Sequence, residues 1–502
     1  MTTSLVEHKA PQEHSVIGTL RSPRLLRVEV LAGLVVALAL IPEAISFSII
    51  AGVDPRIGLF ASFTMAVSIS FLGGRPAMIS AATGSVALVI APVMRDHGYD
   101  YLIATVLLGG ILQVVLGVSG VARLMRFVPR AVMVGFVNSL AILIFLAQVP
   151  YMVGVPLAVY PMIAVGLAIM FGLPRLTTVV PAPLVAIVVL TAFVVASALT
   201  VPNVGDEGKL PKSLPHLFLP NVPFSLSTLQ IIGPYALAMA LVGLLESLLT
   251  AKLVDDVTDT RSKKTREAWG QGASNIITGF FGGMGGCAMI GQTMINVKAS
   301  GARTRISAFL AGVFLLILVV GFGDVVAIIP MAALVAVMTM VAIGTFDWHS
   351  VRPATLRRMP KSETLVMIAT VMVVVATHNL AIGVVVGVLI AMTLFARRVA
   401  HLTETHRELI ENTDGSVTAR YRVTGELFFA SSNDLYTQFE YNADPEKVVI
   451  DLTDSHIWDA STVASLDAIS MKYERKGKSA QIIGLNQASA DRHDRLTGQL
   501  TG

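Results

Sequence analysis

The stretch Gly73-Gly74-Arg75-Pro76-Ala77-Met78-Ile79 returns in altered form in the second half of the chain, as Gly285-Gly286-Cys287-Ala288-Met289-Ile290. Glycine destabilises a helix interior, and Pro76 lacks a backbone donor and disfavours helix at the residue before it. Each stretch therefore predicts an extended piece followed by a helix. We expect extended residues 75–80 before a helix at 82–93, and extended residues 282–289 before a helix at 290–299. A twelve-residue helix rises only about 18 Å.

The composition places these short helices in a membrane. The chain has 502 residues, of which 54% are hydrophobic and only 14% charged, whereas about a quarter of a soluble protein is charged. The single cysteine, Cys287, excludes a disulfide scaffold. The net charge of +4 does not indicate nucleic-acid binding, because the basic residues are dispersed between apolar runs. Residues 1–20 are polar and lack the apolar core of a secretory signal.

The apolar runs predict fourteen membrane-spanning segments, given that a full span needs about 20 residues. The glycine run 282–286 separates the ninth from the tenth, although the two could be misread as one helix. The predicted segments are 30–50, 56–73, 75–94, 101–119, 130–149, 156–173, 180–200, 231–251, 271–285, 286–299, 305–321, 325–344, 363–379 and 381–398.

Charge placement favours this count. With fourteen spans and a cytoplasmic N-terminus, about 22 Lys and Arg residues fall inside and about 4 outside, as the positive-inside rule requires. Merging two spans into one would move every later loop to the opposite side of the membrane and would spoil this ratio. The outside residues are Arg56, Arg95, Lys209 and Lys212, and the inside ones include Arg123 and Arg126. We therefore predict a multi-pass protein of the inner membrane, in contact with the lipid bilayer, with both termini cytoplasmic. Its predicted parts are a cytoplasmic segment 1–29, a transport domain 30–400 and a soluble domain 401–502.

A proline-rich loop, about 201–230, separates two groups of seven spans. Seven is odd, so the second group lies inverted relative to the first, a plan common in transporters. The two related stretches fall at equivalent places, in spans 3 and 10.

Two half-helices in inverted halves would point their N-termini at each other near the middle of the membrane. Each N-terminus offers unpaired N–H groups and about half a positive charge, so the pair predicts an anion site. The alternative is a pair of glycine-kinked helices with packing threonines. Ser85 adds a further donor. The predicted substrate-binding residues at the two tips are Ala82, Thr83 and Gly84, and Gly291, Gln292 and Thr293.

Three segments carry a family resemblance: 41–59, 243–251 and 282–296. Together they resemble the sulfate permease (SulP) anion transporters. The resemblance implies a core domain (spans 1–4 and 8–11) that moves against a gate domain (spans 5–7 and 12–14). It also implies a cytoplasmic STAS domain at residues 401–502 and a homodimer. Bacterial members of that family move sulfate, bicarbonate or dicarboxylates.

Two residues depart from what many relatives carry: Glu43 replaces a glutamine and Gln292 replaces an arginine. An ionised Glu43 would repel an anion and is costly at mid-membrane. A proton taken up with the substrate removes both penalties, so we predict that Glu43 carries it. Phe47, four residues further along the same helix face, is predicted to wall the site or simply to pack. Glu246 in span 8 either supports coupling or anchors the core.

The last hundred residues predict a small α/β domain. Residues 447–452 and 481–485 form short apolar strands, and apolar positions in 461–472 recur at helical spacing. The segment resembles a STAS domain, in which Trp458 to Thr462 would begin a helix capped by Asp459 or Ser461. Ser461 is a candidate phosphorylation site by the same resemblance.

The function predicted from these observations is secondary active transport of a small anion by alternating access. The absence of an arginine at Gln292 weakens the case for a tightly held divalent anion such as sulfate. A dicarboxylate could still bind, with one carboxylate at the paired N-termini and the other near a protonated Glu43. We therefore predict a small, fumarate-like dicarboxylate, moved together with protons. Bicarbonate or sulfate symport remains an alternative, as do an anion channel and a nucleobase–proton symporter of the same fold. We expect no enzyme activity, cofactor or metal, because no catalytic arrangement and no phosphate-binding glycine motif is present.

Overall fold

A computed structural model describes residues 15–120, 128–176, 181–208, 213–400, 403–413 and 415–499. Four of the charges used above, Arg123, Arg126, Lys209 and Lys212, lie outside the described residues. The chain divides into two compact units, Met1–Val388 and Leu389–Gly502.

The first unit is helical, apart from one pair of very short strands. Its elements, with α17 running past the boundary between the units, are α1 (Val16–Arg21), α2 (Pro23–Ala51), α3 (Pro55–Leu72), β1 (Ser80–Ala81), α4 (Gly84–His97), α5 (Tyr99–Val118), α6 (Arg130–Leu146), α7 (Val159–Leu176), α8 (Ala182–Ser197), α9 (Leu226–Thr258), α10 (Lys264–Phe280), β2 (Cys287–Ala288), α11 (Ile290–Met294), α12 (Arg305–Gly321), α13 (Gly323–Ala327), α14 (Met331–Thr345), α15 (Pro353–Arg358), α16 (Lys361–Thr377) and α17 (Leu380–Ala400). A π-helical turn, Ile295–Ala299, extends α11.

Each of the fourteen predicted segments overlaps a helix or half-helix, although 325–344 is divided between α13 and α14, and the predicted fold class is confirmed. Among the described residues, seven helices are long and apolar enough to span a membrane alone: Pro23–Ala51, Pro55–Leu72, Tyr99–Val118, Arg130–Met152, Val159–Leu176, Leu226–Thr258 and Leu380–Val399. Helices α8, α12 and α14 are apolar but shorter. The two half-helices are short because each follows an extended segment, as the glycine and proline pattern predicts.

Several predicted boundaries were wrong. The helix of the first span, α2, begins at Pro23, inside the segment predicted to precede the membrane, and Glu29 in it is buried. Its carboxylate accepts N–H bonds from Arg303, Thr304 and Ser307 and so satisfies the start of α12. The ninth span begins at Lys264 and ends at Phe280, not at 271 and 285. Its first turns are polar, and hydropathy alone therefore missed them.

The two half-helix segments meet in an antiparallel pair of strands. Ser80 lies opposite Ala288 and Ala81 opposite Cys287. Because the strands are antiparallel, α4 and α11 leave the pair from opposite ends. A Cβ on Gly286 would lie 1.9 Å from the carbonyl oxygen of Ala81, so only glycine permits this approach.

Close helix packing supports this centre. Helices α5 and α10 meet at Gly110 and Gly272, where a Cβ on either glycine would lie within 3 Å of the other's carbonyl oxygen. Small residues let helix backbones approach in this way, which is how membrane helices gain packing energy.

The second unit contains a four-stranded sheet in the order β3-β4-β5-β6 with three helices. Pair β3–β4 is antiparallel, and the other two pairs are parallel. Apolar residues of β4, β5 and α19, among them Val423, Ile450 and Leu466, form its own core. The elements are β3 (Glu404–Glu411), β4 (Val417–Leu427), α18 (Phe429–Leu435), β5 (Lys447–Ile457), α19 (Ala460–Glu474), β6 (Ser479–Ile483) and α20 (Gln487–Leu496).

Gly286→Ala should prevent correct assembly of the strand pair, because the new methyl group meets backbone rather than a flexible side chain. We expect a large loss of monodisperse protein in size-exclusion chromatography of detergent extracts and a lower melting temperature. Gly291→Ala is the matched control, since a Cβ there has nothing within 4 Å. Equal folded yields for the two variants would contradict the strand pairing.

Asp444→Ala should destabilise a fragment covering 403–499 by about 2–5 kcal/mol, because two buried tyrosine hydroxyls would lose their acceptor. Asp444 is fully buried and accepts bonds from Tyr421 and Tyr473 at 2.7 and 2.6 Å. Asp454→Ala removes only the exposed pair with Arg422 and should cost less than about 1 kcal/mol. Urea unfolding followed by circular dichroism measures both, and similar losses would contradict the assignment.

Candidate functional site

The site begins with the two helix tips. In the described part of the chain, the first-turn N–H groups of α4 (residues 84–86) have no hydrogen-bond acceptor, and neither do those of α11 (residues 290–292). Helix starts leave such donors free, and they carry partial positive charge. Both tips lie in the interior of the helical unit, where Ala82 and Gln292 are 1% and 2% exposed. Two sets of free donors buried this way suit an anion.

Helix α2 connects the two tips. The side chain of Glu43 faces that of Gln292, and α2 packs against α11, which places Glu43 beside the tip of α11. Phe47, one turn further along α2, lies against the tip of α4: a Cβ on Gly84 would be 2.9 Å from Cε1 of Phe47. The shared face expected for Glu43 and Phe47 therefore spans the site. Glu43 and Gln292, the two positions at which the family resemblance implies other residues, therefore lie side by side.

Three predicted binding residues use polar groups to hold the scaffold. The N–H of Ala82 donates to Ser62 Oγ at 3.2 Å, and the helix begins two residues later than predicted. Thr83 Oγ1 lies 3.1 Å from Cys287 Sγ, and Thr293 Oγ1 accepts the N–H of Ile79 at 3.0 Å. In contrast, a Cβ on Gly291 would meet open space. Direct contact of these residues with substrate stays a prediction.

Glu246 of α9 joins both half-helix segments. Its Oε2 accepts hydrogen bonds from Ser85 Oγ of α4 and, at 3.1 Å, from Cys287 Sγ of β2. The side chain is buried. This placement fits the anchoring role considered for Glu246, and its part in coupling stays a prediction.

Sequence reasoning missed most residues that fix the tips. Asn296 Nδ2 donates to the carbonyl of Ala77, whose φ of 60° lies in the left-handed region. Such a conformation costs an alanine about 1–2 kcal/mol and needs support. Ser247 Oγ accepts the N–H of Ala288, as Ser62 does for Ala82. The available signal was a polar side chain inside an apolar helix, which is expensive without a partner.

Two apolar cavities, of about 890 and 520 Å³, lie away from the tips. The first lies along α5, α9 and the residues before α9, and the second lies between α2 and α8. Their linings suit hydrocarbon and contain none of the tip residues.

In the second unit, Asp459 rather than Ser461 caps α19. Its carboxylate accepts the N–H of Thr462 at 3.0 Å and that of Phe429 at 2.6 Å. Ser461 is exposed in the first turn. It is accessible for modification, and its phosphorylation stays a prediction.

Comparison with known proteins agrees with this architecture. Residues 26–165 and 162–370 match the sulfate permease family, and residues 408–497 match the STAS domain. YbaR of Bacillus subtilis (strain 168), named as a candidate sulfate transporter, is 53% identical over 464 residues, covering 92% of this chain and 95% of that protein. The bicarbonate transporter BicA of Picosynechococcus sp. is 25% identical over 428 residues, covering 78% and 74%.

Solved structures show the same fold. The murine anion transporter Slc26a9 in its inward-facing state has a TM-score of 0.79 at 15% identity, covering 94% of this chain and 87% of that chain. The transmembrane domain of a cyanobacterial BicA has a TM-score of 0.63 at 24% identity, covering 74% and 98%. With the family match over most of its length, the chain belongs to the sulfate permease family: it is a multi-pass membrane anion transporter with a C-terminal STAS domain.

Proposed function

We propose that the protein is a proton-coupled symporter that carries a small oxyanion between the tips of α4 and α11, with sulfate as the first candidate. The observation that carries this proposal is the pair of buried helix starts with free N–H donors, bridged by Glu43 and Phe47 of α2.

The charges of the site favour proton coupling. The two tips together supply about one positive charge. The contacts described for Glu43 include no Lys or Arg side chain, and the side chain that faces it is the neutral Gln292. An ionised Glu43 would therefore cancel the attraction that the tips provide. Protonation restores it, so anion and proton bind together.

The substrate proposal follows from both the donors and the relatives. Sulfate is a ligand that helix N-termini bind well through backbone N–H groups alone. The relatives named above are associated with sulfate and bicarbonate, and neither name supports the predicted fumarate-like dicarboxylate. We therefore place sulfate first and bicarbonate second, and keep fumarate as the third anion to be tested.

Alternating access requires that the site move relative to the rest of the protein. We propose that the core comprises α2–α5 and α9–α12 and moves against a gate built from α6–α8, α14, α16 and α17. The homodimer, the inner-membrane location and the cytoplasmic placement of both termini belong to this proposal, as does regulation through Ser461.

Uptake by purified protein in liposomes tests the proposed function. Radiolabelled sulfate, bicarbonate and fumarate are offered separately, with and without an inward proton gradient. We expect saturable sulfate uptake that the gradient drives above equilibrium. Uptake of none of the three anions would contradict the proposal, and conductance without accumulation would indicate a channel.

Glu43→Gln should retain anion exchange but lose accumulation driven by the proton gradient, because glutamine keeps the size and polarity of the side chain beside Gln292 and cannot carry the proton. Initial rates at several external pH values measure this, and we expect wild-type uptake to rise as the pH falls while the variant stays nearly constant. Asp96→Asn, which changes an exposed acid at the far end of α4, is the control. Glu43→Gln uptake that is as gradient-driven as wild type would rule out Glu43 as the carrier.

A further inference from the structure

Helix α10 presents three fully buried polar side chains, Glu267, Gln271 and Asn275, at intervals of four residues. Residues with this spacing share one face of a helix. Burying such groups in a membrane protein is costly unless each is hydrogen-bonded. All three are bonded to the two half-helix segments or to each other.

Glu267 holds the start of the first half-helix segment. Its Oε2 accepts the N–H groups of Gly74 and Arg75 at 2.7 and 2.9 Å. Its Oε1 accepts a hydrogen bond from Gln271 Nε2 at 2.8 Å, and this bond fixes the side chain of Gln271, one turn further along α10.

Gln271 reaches the strand pair itself. Its Nε2 donates to Ser80 Oγ at 2.7 Å. Ser80 is the residue of β1 that lies opposite Ala288 of β2, a few residues before the tip of α4. The position of Gln271 therefore fixes how β1 lies against α10.

Asn275 holds the second half-helix segment through both backbone groups of one residue, Gly286. Its Nδ2 donates to the carbonyl of Gly286 at 2.9 Å, and its Oδ1 accepts the N–H of Gly286 at 2.8 Å. The same Nδ2 donates to Gln113 Oε1 of α5 at 2.8 Å. Gly286 lies four residues before the first residue of α11.

We infer that Gln271 and Asn275 are positioning residues that set the separation of the two helix tips and thereby the affinity for the transported anion. One rigid helix holds β1 through Gln271 and the residue before β2 through Asn275. The distance between the two bonded residues along α10 therefore fixes the register of the strand pair from which both tips emerge. The inference rests on the proposed function, because the effect of these residues is measured as the affinity for the transported anion.

The test uses Asn275→Ala and the smaller change Ser80→Ala, which removes only the acceptor for Gln271. Full-length protein in liposomes gives KM and maximal rate for sulfate uptake. Misplacing binding groups by about 1 Å can cost about 100-fold, so we expect KM to rise about 10- to 100-fold with the maximal rate within about twofold. Ser274→Ala is the matched control: Ser274 is buried beside Asn275, and its hydroxyl has no hydrogen-bond partner in the described structure. It should behave as wild type.

Hydrogen–deuterium exchange measures the position of the tips independently of transport. Asn275→Ala should accelerate exchange of peptides covering 286–292, whereas Ser274→Ala should not. If wild type takes up none of the tested anions, the proposed function fails, and the exchange data alone decide whether Asn275 holds the tip. Unchanged exchange, or faster exchange with unchanged KM, overturns the inference. If Asn275→Ala does not fold, Ser80→Ala decides by the same two measurements.

Discussion

The whole arrangement depends on one constraint: a backbone N–H group without a partner cannot face lipid. The chain nevertheless begins two helices, α4 and α11, in the protein interior with free donors. The two-residue strand pair makes this possible, because it satisfies the extended backbone before each tip and keeps both tips away from lipid. Gly286 is required for that pair, since any side chain there would strike Ala81.

The polar side chains of the interior follow from the same constraint. Extended backbone between the helices and the strands needs partners that helices do not provide. Ser62, Ser247 and Asn275 supply them from three different helices. These residues bind backbone, and the free donors at the tips are left for the anion that we propose to bind there. The buried polar groups of this protein therefore fall into two sets: those that hold the backbone, and those that are left free at the tips. The hydrogen bonds that each group makes are what distinguish the two sets.

The sequence predicted much of the fold, because membrane segments and their interruptions have strong local signals. Glycine and Pro76 marked both half-helices, and the balance of Lys and Arg across the loops selected fourteen segments. A strand of two residues is too short to show an alternating pattern, so the pairing of Ser80 with Ala288 could not be predicted from the sequence. The polar start of α10 lies outside the predicted ninth span for a different reason: hydropathy cannot reveal that Glu267 is buried against a distant backbone. The fumarate-like substrate rested on one missing arginine, and the relatives give it no support.

The proximity of Glu43 and Gln292 joins into one feature the two positions at which the family resemblance implies other residues. An arginine at 292 would bring a permanent positive charge to the tip, and a glutamine at 43 would leave nothing to titrate. This chain has the reverse: the neutral side chain of Gln292 faces Glu43 and brings no fixed charge. Under the proposed function, the net charge of the site depends on whether Glu43 holds a proton, in addition to the constant contribution of the two helix starts. An anion and a proton stabilise each other at such a site, and thermodynamic linkage requires that the effect be reciprocal.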